Sequence, residues 1–234
     1  MTLHCAFIGF GKSTTRYHLP YVLHRKDRWH VAHIFRRSAK PEEQAPAYSH
    51  IHFTSDLDEV LNDPQVKLVI VCTQADSHFA YAKRALEAGK NVLVEKPFTP
   101  TLEEAKTLFA LAKSKGLTVT PYQNRRFDSC FLTTKKVIES GKLGEIVEIE
   151  NHFDNYRPVD GGKPGLPQDG TFYGLGVHTL DQIISLFGRP DHVSYDIRSL
   201  RNKANPDDTF EAQLFYGNLK AIVKTSHLVK LPYP

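Results

Sequence analysis

The chain has 234 residues, enough for one large domain or for two smaller ones, each with its own core. A composition of 41 % apolar and 24 % charged residues is that of an ordinary globular protein, and a formal charge of +4 without clustering gives no footing for nucleic-acid binding. No apolar stretch approaches membrane-spanning length, so neither nucleic acid nor a membrane is expected as a partner.

The opening, MTLHCAFIGF, lacks a basic segment followed by a hydrophobic run and a small-residue cleavage site. It reads directly as a strand over 3–8, and a cytoplasmic location is expected. Gly9 and Gly11 follow, and then a helix pattern runs to about His24. The next strand is expected at about 30–35, ended by Arg36 and Arg37, with a polar loop KPEEQAP and a short edge strand at 51–53. SDLDEVLND reads as a helix with Ser55 as its cap and Asp58 in capping-box position. KLVIVCT, 67–73, is almost continuously apolar, as in a strand covered on both faces of a parallel sheet. DSHFAYAKRALEAG is a helix stopped by Gly89, NVLVEKP a buried strand closed by proline, TLEEAKTLFALAKSKG another helix, and LTVTPYQ a further strand. This alternation predicts a doubly wound Rossmann α/β domain with a mostly parallel sheet over 1–122.

The pattern changes beyond that point. FDSCFLTTKKVIESGKLG reads as a helix. EIVEIENHFD alternates, with Val147, Ile149 and Phe153 on one face and Glu148, Glu150, His152 and Asp154 on the other, as in a half-covered strand. A Pro/Gly-rich loop spans about 157–170. LGVHTLDQIISLFG is a helix whose apolar face is read as Val177, Leu180, Ile184 and Phe187. Strands are expected around 192–199, 208–216 and 219–228, with YGNL as a hairpin turn between the last two. Residues 123–234 therefore read as an α+β C-terminal domain with a mostly antiparallel sheet. The chain stops at LVKLPYP just after a strand, and part of this domain is expected to be missing.

Cys5 and Cys72 fall within apolar runs, where a thiol behaves as a small hydrophobe, and Cys130 stands apart. None has metal-ligand spacing, so no metal is expected and the reducing cytosol is the expected compartment.

The glycine loop carries the first chemical signal. Gly9 and Gly11 stand between a strand and a helix, where glycine allows a tight turn and close backbone approach to a pyrophosphate, and the helix N-terminus supplies amides and a favourable dipole. Gly9, Phe10, Gly11, Lys12, Ser13 and Thr14 are the candidate cofactor contacts, with Thr14 at the usual third-glycine position, where it makes the packing less close. An NAD site places a carboxylate at the end of the second strand; here Arg36 and Arg37 stand there and suit a 2′-phosphate. NADP(H) is the favoured cofactor, with NAD(H) possible; the two arginines also read as a solvated basic pair, and Arg36 as a stacking partner for adenine.

GFGKSTTRYH, VCTQADSH, VEKPFT and LGVHTLD together resemble the Gfo/Idh/MocA family, which includes glucose–fructose oxidoreductase and inositol 2-dehydrogenase, and the likeness is to a bacterial member. The resemblance covers essentially the whole chain and implies a Rossmann domain followed by a partial substrate and oligomerisation domain with a large open sheet. It implies an NAD(P)-dependent oxidoreductase moving hydride between nicotinamide and a sugar, polyol or related carbonyl or hydroxyl substrate, and a homodimer or higher homo-oligomer through the C-terminal sheet. Glu95, Lys96 and Pro97 match the EKP motif, in which the glutamate usually contacts the nicotinamide ribose side, the lysine lies near substrate and nicotinamide, and the proline is usually cis. Thr73, Gln74 and His78 match the segment lining the cofactor, Cys72 adds backbone contacts, and Asn124 resembles a residue near the nicotinamide.

His178 matches the histidine of the family's Asp-x-x-x-His arrangement, whose aspartate position here is Gly174. Asp169 and Tyr173 are the candidates to replace that carboxylate. Lys96 and His178 are the candidate catalytic residues, one stabilising oxyanion charge and the other relaying the proton. By residue type alone they also read as a surface charge and a structural histidine. Tyr156, Arg157, Tyr173 and Asp181, with Lys96, His178 and Asp154, suit a hydroxyl-rich substrate, while Arg125 and Arg126 read equally as cleft or surface residues. Two rival functions stay open: reduction of a non-sugar substrate, and a non-catalytic NADP(H)-binding sensor.

Overall fold

The apolar run after Thr2 forms β1 (Leu3–Ile8), whose Cys5, Ala6, Phe7 and Ile8 have no exposed surface. A strand with both faces covered belongs at the centre of a sheet. The computed structural model describes residues 2–159 and 165–231. Part of the expected 157–170 loop and the last residues of LVKLPYP lie outside them. The chain divides into two units, residues 1–122 and 123–234.

In the first unit β1 leads through the glycine loop into a π turn, Thr14–His18, continued by α1 (Leu19–His24). Then come β2 (Trp29–Phe35), β3 (His52–Thr54), α2 (Leu57–Asn62), β4 (Val66–Val71), α3 (His78–Glu87), β5 (Asn91–Val94), α4 (Leu102–Ser114) and β6 (Val119–Pro121). The strands run parallel in the order β3-β2-β1-β4-β5-β6. The order reverses between β1 and β4, where open α/β sheets take ligands at the carboxyl ends of their strands. Ala6 and Ile8 pack on one face with Val69, Val92 and Leu86, while Cys5 and Phe7 pack on the other with Leu19, Val31 and Ile34. Each fully buried Ile, Leu or Phe contributes about 1.5–3 kcal/mol. The start of α4 is held by a capping box in which the Thr101 hydroxyl accepts from Glu104 N–H and the Glu104 carboxylate accepts from Thr101 N–H.

The second unit contains α5 (Ser129–Glu139), β7 (Glu148–His152), a π turn Phe172–Gly176 running into α6 (Val177–Phe187), and then β8 (His192–Arg198), β9 (Thr209–Tyr216) and β10 (Leu219–Ser226). Its sheet has the order β7-β10-β9-β8. Ile183 of α6 packs on Phe210, Leu214, Ala221 and Val223. Gly217 lies in the β9–β10 turn with φ +56°.

Three expectations change, and one is refined. Asp56, not Ser55, caps α2, its side chain accepting from Asp58 N–H at 2.9 Å. The C-terminal sheet is mostly antiparallel as expected, through β10–β9 and β9–β8, and is mixed because β7 joins β10 in parallel. Val147 precedes β7 and is exposed, while Asp154 on the supposed outer face is buried, with its carboxylate accepting from Ser226 N–H. The deepest face of α6 carries His178, Thr179, Gln182 and Ile183, and Ile184 is exposed. Gln182 is satisfied there: its Oε1 accepts from Asn151 Nδ2 at 2.9 Å and its Nε2 donates to the Arg125 carbonyl at 2.9 Å. Among the described residues no helix is long and apolar enough to cross a membrane.

Candidate functional site

The glycine loop leaves the carboxyl end of β1 with Gly9 at φ +109°, a conformation that L side chains rarely adopt. A Cβ at Gly9 would stand 2.5 Å from the Cys72 carbonyl oxygen, so the position demands glycine twice over. Gly9 N–H donates to the Phe35 carbonyl at 2.9 Å and Cys72 N–H to the Ile8 carbonyl at 2.8 Å, which ties the ends of β1, β2 and β4 together. At Gly11, by contrast, a Cβ would meet no atom within 4 Å. Gly9 thus serves the fold, and Gly11 keeps backbone open at a cavity wall.

That cavity has a volume of about 700 Å³ and includes Gly9 to Ser13, Arg36, Arg37, Cys72, Thr73 and Gln74 in its lining. The size is that of a small-molecule or cofactor site. Thr14 does not line it. Thr14 is 0 % exposed, and its Oγ1 donates to the Gly9 carbonyl at 2.7 Å. The hydroxyl therefore braces the loop from behind, where sequence reasoning expected only looser packing. Burial pushes the Cys72 thiol up to about 12, with the Glu95 charge adding to it, so Cys72 offers backbone and bulk.

At the end of β2 the two arginines differ. Arg37 is exposed on the cavity wall. Arg36 is paired: Nε and Nη2 donate to the Glu43 carboxylate at 2.8 and 3.1 Å. The bond from Arg36 holds the Glu43 carboxyl below its ordinary range against burial, with help from Lys40 N–H. This pair uses two of the five guanidinium N–H groups, and the opposite edge of the fork keeps three donors. Lys40 Nζ donates to the Phe10 carbonyl at 2.6 Å, bringing a further positive charge to the same cavity. The open backbone at Gly11, the basic groups and the cavity size fit the adenosine and pyrophosphate portion of a dinucleotide.

The Glu95-Lys96-Pro97 turn follows β5, and its Lys96–Pro97 peptide is cis. Glu95 is 7 % exposed and its carboxylate is held from within: it accepts from Ser13 Oγ, from His18 Nε2 at 2.8 Å and from Lys96 N–H at 3.0 Å. Burial alone would raise this carboxyl; the bonds from His18 and Ser13, the charge attraction of His18 and the Lys96 N–H outweigh it and hold it below the ordinary range. His78 is 1 % exposed, with ring nitrogens 2.8 Å from the Pro97 carbonyl oxygen and 3.1 Å from that of Thr73. Neither Glu95 nor His78 lines the 700 Å³ cavity; both tie its supporting loops to the turn that carries half-buried Lys96.

In the second unit, His178 is buried in the first turn of α6, and Tyr173 and Gly174 lie in the preceding π turn. Asp181, a candidate for substrate binding, histidine orientation or capping of local structure, accepts at both oxygens from Arg126, Nε and Nη2, at 2.7 Å. Arg125 pairs with Asp128 at 2.8 Å and stands 4.5 Å over the Phe153 ring. The Asp169 carboxylate accepts from Leu166 N–H at 2.9 Å, within its own loop. Asn124 opens the turn Asn124–Phe127. Tyr156 is exposed and bridges to Leu228, and the Arg157 carbonyl accepts from Arg201 Nη1 at 2.9 Å.

Two family descriptions match: the oxidoreductase family's NAD-binding Rossmann fold over residues 3–123, and its C-terminal alpha/beta domain over 135–233. The chain belongs to the Gfo/Idh/MocA oxidoreductase family. It is 88 % identical to the uncharacterized oxidoreductase YhhX of Escherichia coli strain K12, over 100 % of this chain and 68 % of that protein. It is 35 % identical to the scyllo-inositol 2-dehydrogenase (NADP(+)) IolW of Bacillus subtilis strain 168, over 97 % of this chain and 64 % of that one. The crystal structure of an oxidoreductase from Bacillus cereus superposes with a TM-score of 0.94 at 49 % identity, covering 100 % of this chain and 67 % of the other. The chain spans about two thirds of the length of these relatives.

Within this family frame, sequence reasoning missed three residues. His18 sits inside the motif GFGKSTTRYH, but nothing in its spacing points to a partner at Glu95. Lys40 and Glu43 lie in KPEEQAP, read only as a polar loop. The signal that could have exposed Glu43 is its place three residues after Lys40, whose N–H it accepts at 2.8 Å in capping-box fashion.

Proposed function

We propose that this chain is the cofactor-binding unit and part of the substrate unit of an NADP-preferring oxidoreductase acting on a sugar, polyol or related carbonyl or hydroxyl compound. The observation that carries the reading is the cavity at the carboxyl ends of β1, β2 and β4. It offers open backbone at Gly11, is lined by Lys12, Arg36, Arg37 and Lys40 together with Asp76, and has arginines rather than a carboxylate as the residues that follow β2, the nearby Glu43 being bonded to Arg36. A 2′-phosphate is well matched by guanidinium and ammonium donors and repelled by a carboxylate. The relative named as an NADP(+)-dependent scyllo-inositol dehydrogenase supports both the cofactor and a polyol-type substrate.

When bound, the nicotinamide donates or accepts the hydride. The chain's own residues do the rest. Lys96 Nζ hydrogen-bonds the substrate oxygen and lowers the cost of charge developing on it. His178 holds or moves a substrate proton at an imidazole nitrogen, in either direction of reaction. Asn124 and Glu95 are assigned to the nicotinamide end, with Thr73 and Gln74 along the cofactor, and Tyr156, Arg157 and Tyr173 to substrate binding.

Titration of the chain with NADPH and NADH, followed by nicotinamide fluorescence, tests the cofactor assignment. NADPH is expected to bind at least about tenfold more tightly, the value of one charge-assisted bond. Equal affinities overturn the NADP preference, and no binding of either overturns the reading as a whole.

A second reading, an NADP(H)-binding sensor, is favoured by one observation: Gly174 lacks the expected carboxylate, while Asp169 and Asp181 are tied to other groups. Nicotinamide absorbance with a polyol and carbonyl panel separates the two, and Lys96→Ala is expected to abolish turnover while sparing cofactor affinity.

We also propose a cytosolic location, in keeping with three free cysteines, and assembly as a homodimer or higher oligomer through the C-terminal sheet. In keeping with assembly, Val193 and Tyr195 of β8 are exposed. Light scattering on a sizing column reads the assembly, and a monomer overturns it.

A further inference from the structure

The π turn Thr14–His18 ends on a group that the cofactor reading does not use. His18 is 5 % exposed. A buried histidine on a helix is commonly a packed core residue, and three observations separate this one from that description.

Its partner is itself a buried carboxylate. His18 Nε2 donates to Glu95 Oε1 at 2.8 Å, Ser13 Oγ donates to the same oxygen, and Lys96 N–H donates to Oε2 at 3.0 Å. One carboxylate thus joins the nucleotide loop, through Ser13, to the turn that carries Lys96. The ring is also held in place: its centroid lies 4.2 Å from that of Tyr122 and 6.2 Å from that of Phe7, the latter edge-on. Finally, π turns are rare and recur at functional sites.

We propose that His18 is a positioning residue: acting through Glu95, it fixes the backbone turn that presents Lys96 and links that turn to the nucleotide loop. The consequence for chemistry rests on the reading of Lys96 as the residue that meets substrate. The geometry itself is testable without cofactor or substrate.

The physical argument runs through satisfaction of a buried charge. An ionised carboxylate with little water around it must be held by donors, and removing one leaves the full desolvation penalty exposed. Without the His18 N–H, the Glu95 carboxylate is expected to turn away in search of another donor. The Lys96 N–H and the Ser13 hydroxyl then lose their shared acceptor.

Hydrogen–deuterium exchange of the Lys96 amide in the unliganded full chain tests this. His18→Phe keeps a ring against Tyr122 and Phe7 but removes the donor. His18→Gln keeps a donor but loses the ring. The Lys96 amide is expected to exchange about tenfold faster in His18→Phe, the loss of one bond to a charged group. The amides of Val92 and Val94 should stay unchanged, and His18→Gln should recover most of the protection.

A packing role predicts the reverse order, with Gln worse than Phe, and that order overturns the proposal. So does equal acceleration at Val92 and Val94, or no acceleration at Lys96. Ser13→Ala is the second route should the histidine variants not fold. It removes another donor to the same carboxylate without touching the ring, and is expected to speed the Lys96 amide several-fold; unchanged exchange there overturns the coupling. If wild-type protein binds no NADPH, the functional reading fails while this exchange pattern still stands or falls by itself.

Discussion

Gly9→Ala places a methyl group where the fold has no room for one. The backbone at this position has φ +109°, outside the territory of L side chains, which costs about 1–2 kcal/mol for alanine. The new Cβ would stand 2.5 Å from the Cys72 carbonyl oxygen and 2.9 Å from its carbon, so backbone at the end of β4 has to move. That backbone is not free to yield, because Cys72 N–H is bonded to the Ile8 carbonyl at 2.8 Å and Cys72 is buried. Overpacking of this kind costs roughly a further 1–3 kcal/mol. Together the loss is about 2–5 kcal/mol, which for a unit of this size lowers Tm by roughly 8–20 °C. Gly11→Ala is the matched control: its Cβ meets no atom within 4 Å, so stability should stay within about 0.5 kcal/mol of wild type. Because Gly11 lines the cavity, that variant should instead weaken NADPH binding. Thermal melts followed by circular dichroism and urea titrations give the stabilities. If Gly9→Ala melts within a degree or two of Gly11→Ala, the reasoning about the loop is wrong.

Four further outcomes are expected. A thiol reagent should label Cys130 in the native protein and reach Cys5 and Cys72 only after unfolding, because both are buried and burial pushes their thiols up to about 12; native labelling of all three would contradict this. Acid should destabilise the first unit. The Glu95 carboxyl titrates below its unfolded value of about 4.3, so its contribution is complete above that pH and is lost as pH falls through the lower folded value; Glu95→Gln should flatten this limb of a stability–pH curve. His30 acts in the same direction at higher pH: burial and the charges of His4, His50 and His33 lower its pKa, so stability declines as pH falls below about 6.5, and His30→Gln should remove that decline. Gly174→Asp restores the expected carboxylate at a position where a Cβ meets no atom within 4 Å. It should leave Tm almost unchanged and raise turnover of polyols, and an unaltered substrate profile would show that a carboxylate at this position is not what the site lacks.

The parts of the fold that were legible are those governed by neighbours in the chain. KLVIVCT announces a strand covered on both faces because its run from Leu68 to Cys72 is unbroken in apolar residues, and β4 forms over Val66–Val71 with Val69, Ile70 and Val71 buried. TLEEAKTLFALAKSKG announces a helix from its own residues, and α4 forms there over Leu102–Ser114. The apolar face of α6 was legible only in part, since Leu180 and Phe187 pack on the core as expected while Ile184 is exposed and Gln182 is buried. Periodicity counts apolar residues, whereas Gln182 is buried because Asn151 and the Arg125 carbonyl, both distant in sequence, satisfy its amide. The parallel pairing of β7 with β10 was likewise invisible, since alternation along a strand says which face is covered but not which strand lies beside it.

The site divides in the same way. The sequence by itself determined that a glycine loop lies between the first strand and the following helix, that two arginines follow the second strand, and that Lys96 follows the fifth. Each is a property of a short segment whose chemistry is set by residue type and spacing. Only the tertiary structure decided what those groups are bonded to. Thr14 braces the loop it was expected to loosen, Glu43 holds one of the two arginines, and Glu95 faces inward to Ser13 and His18. Hydrogen bonds and charges act over a few ångströms in space. The fold alone brings His18 and Glu95, 77 residues apart in sequence, within that range.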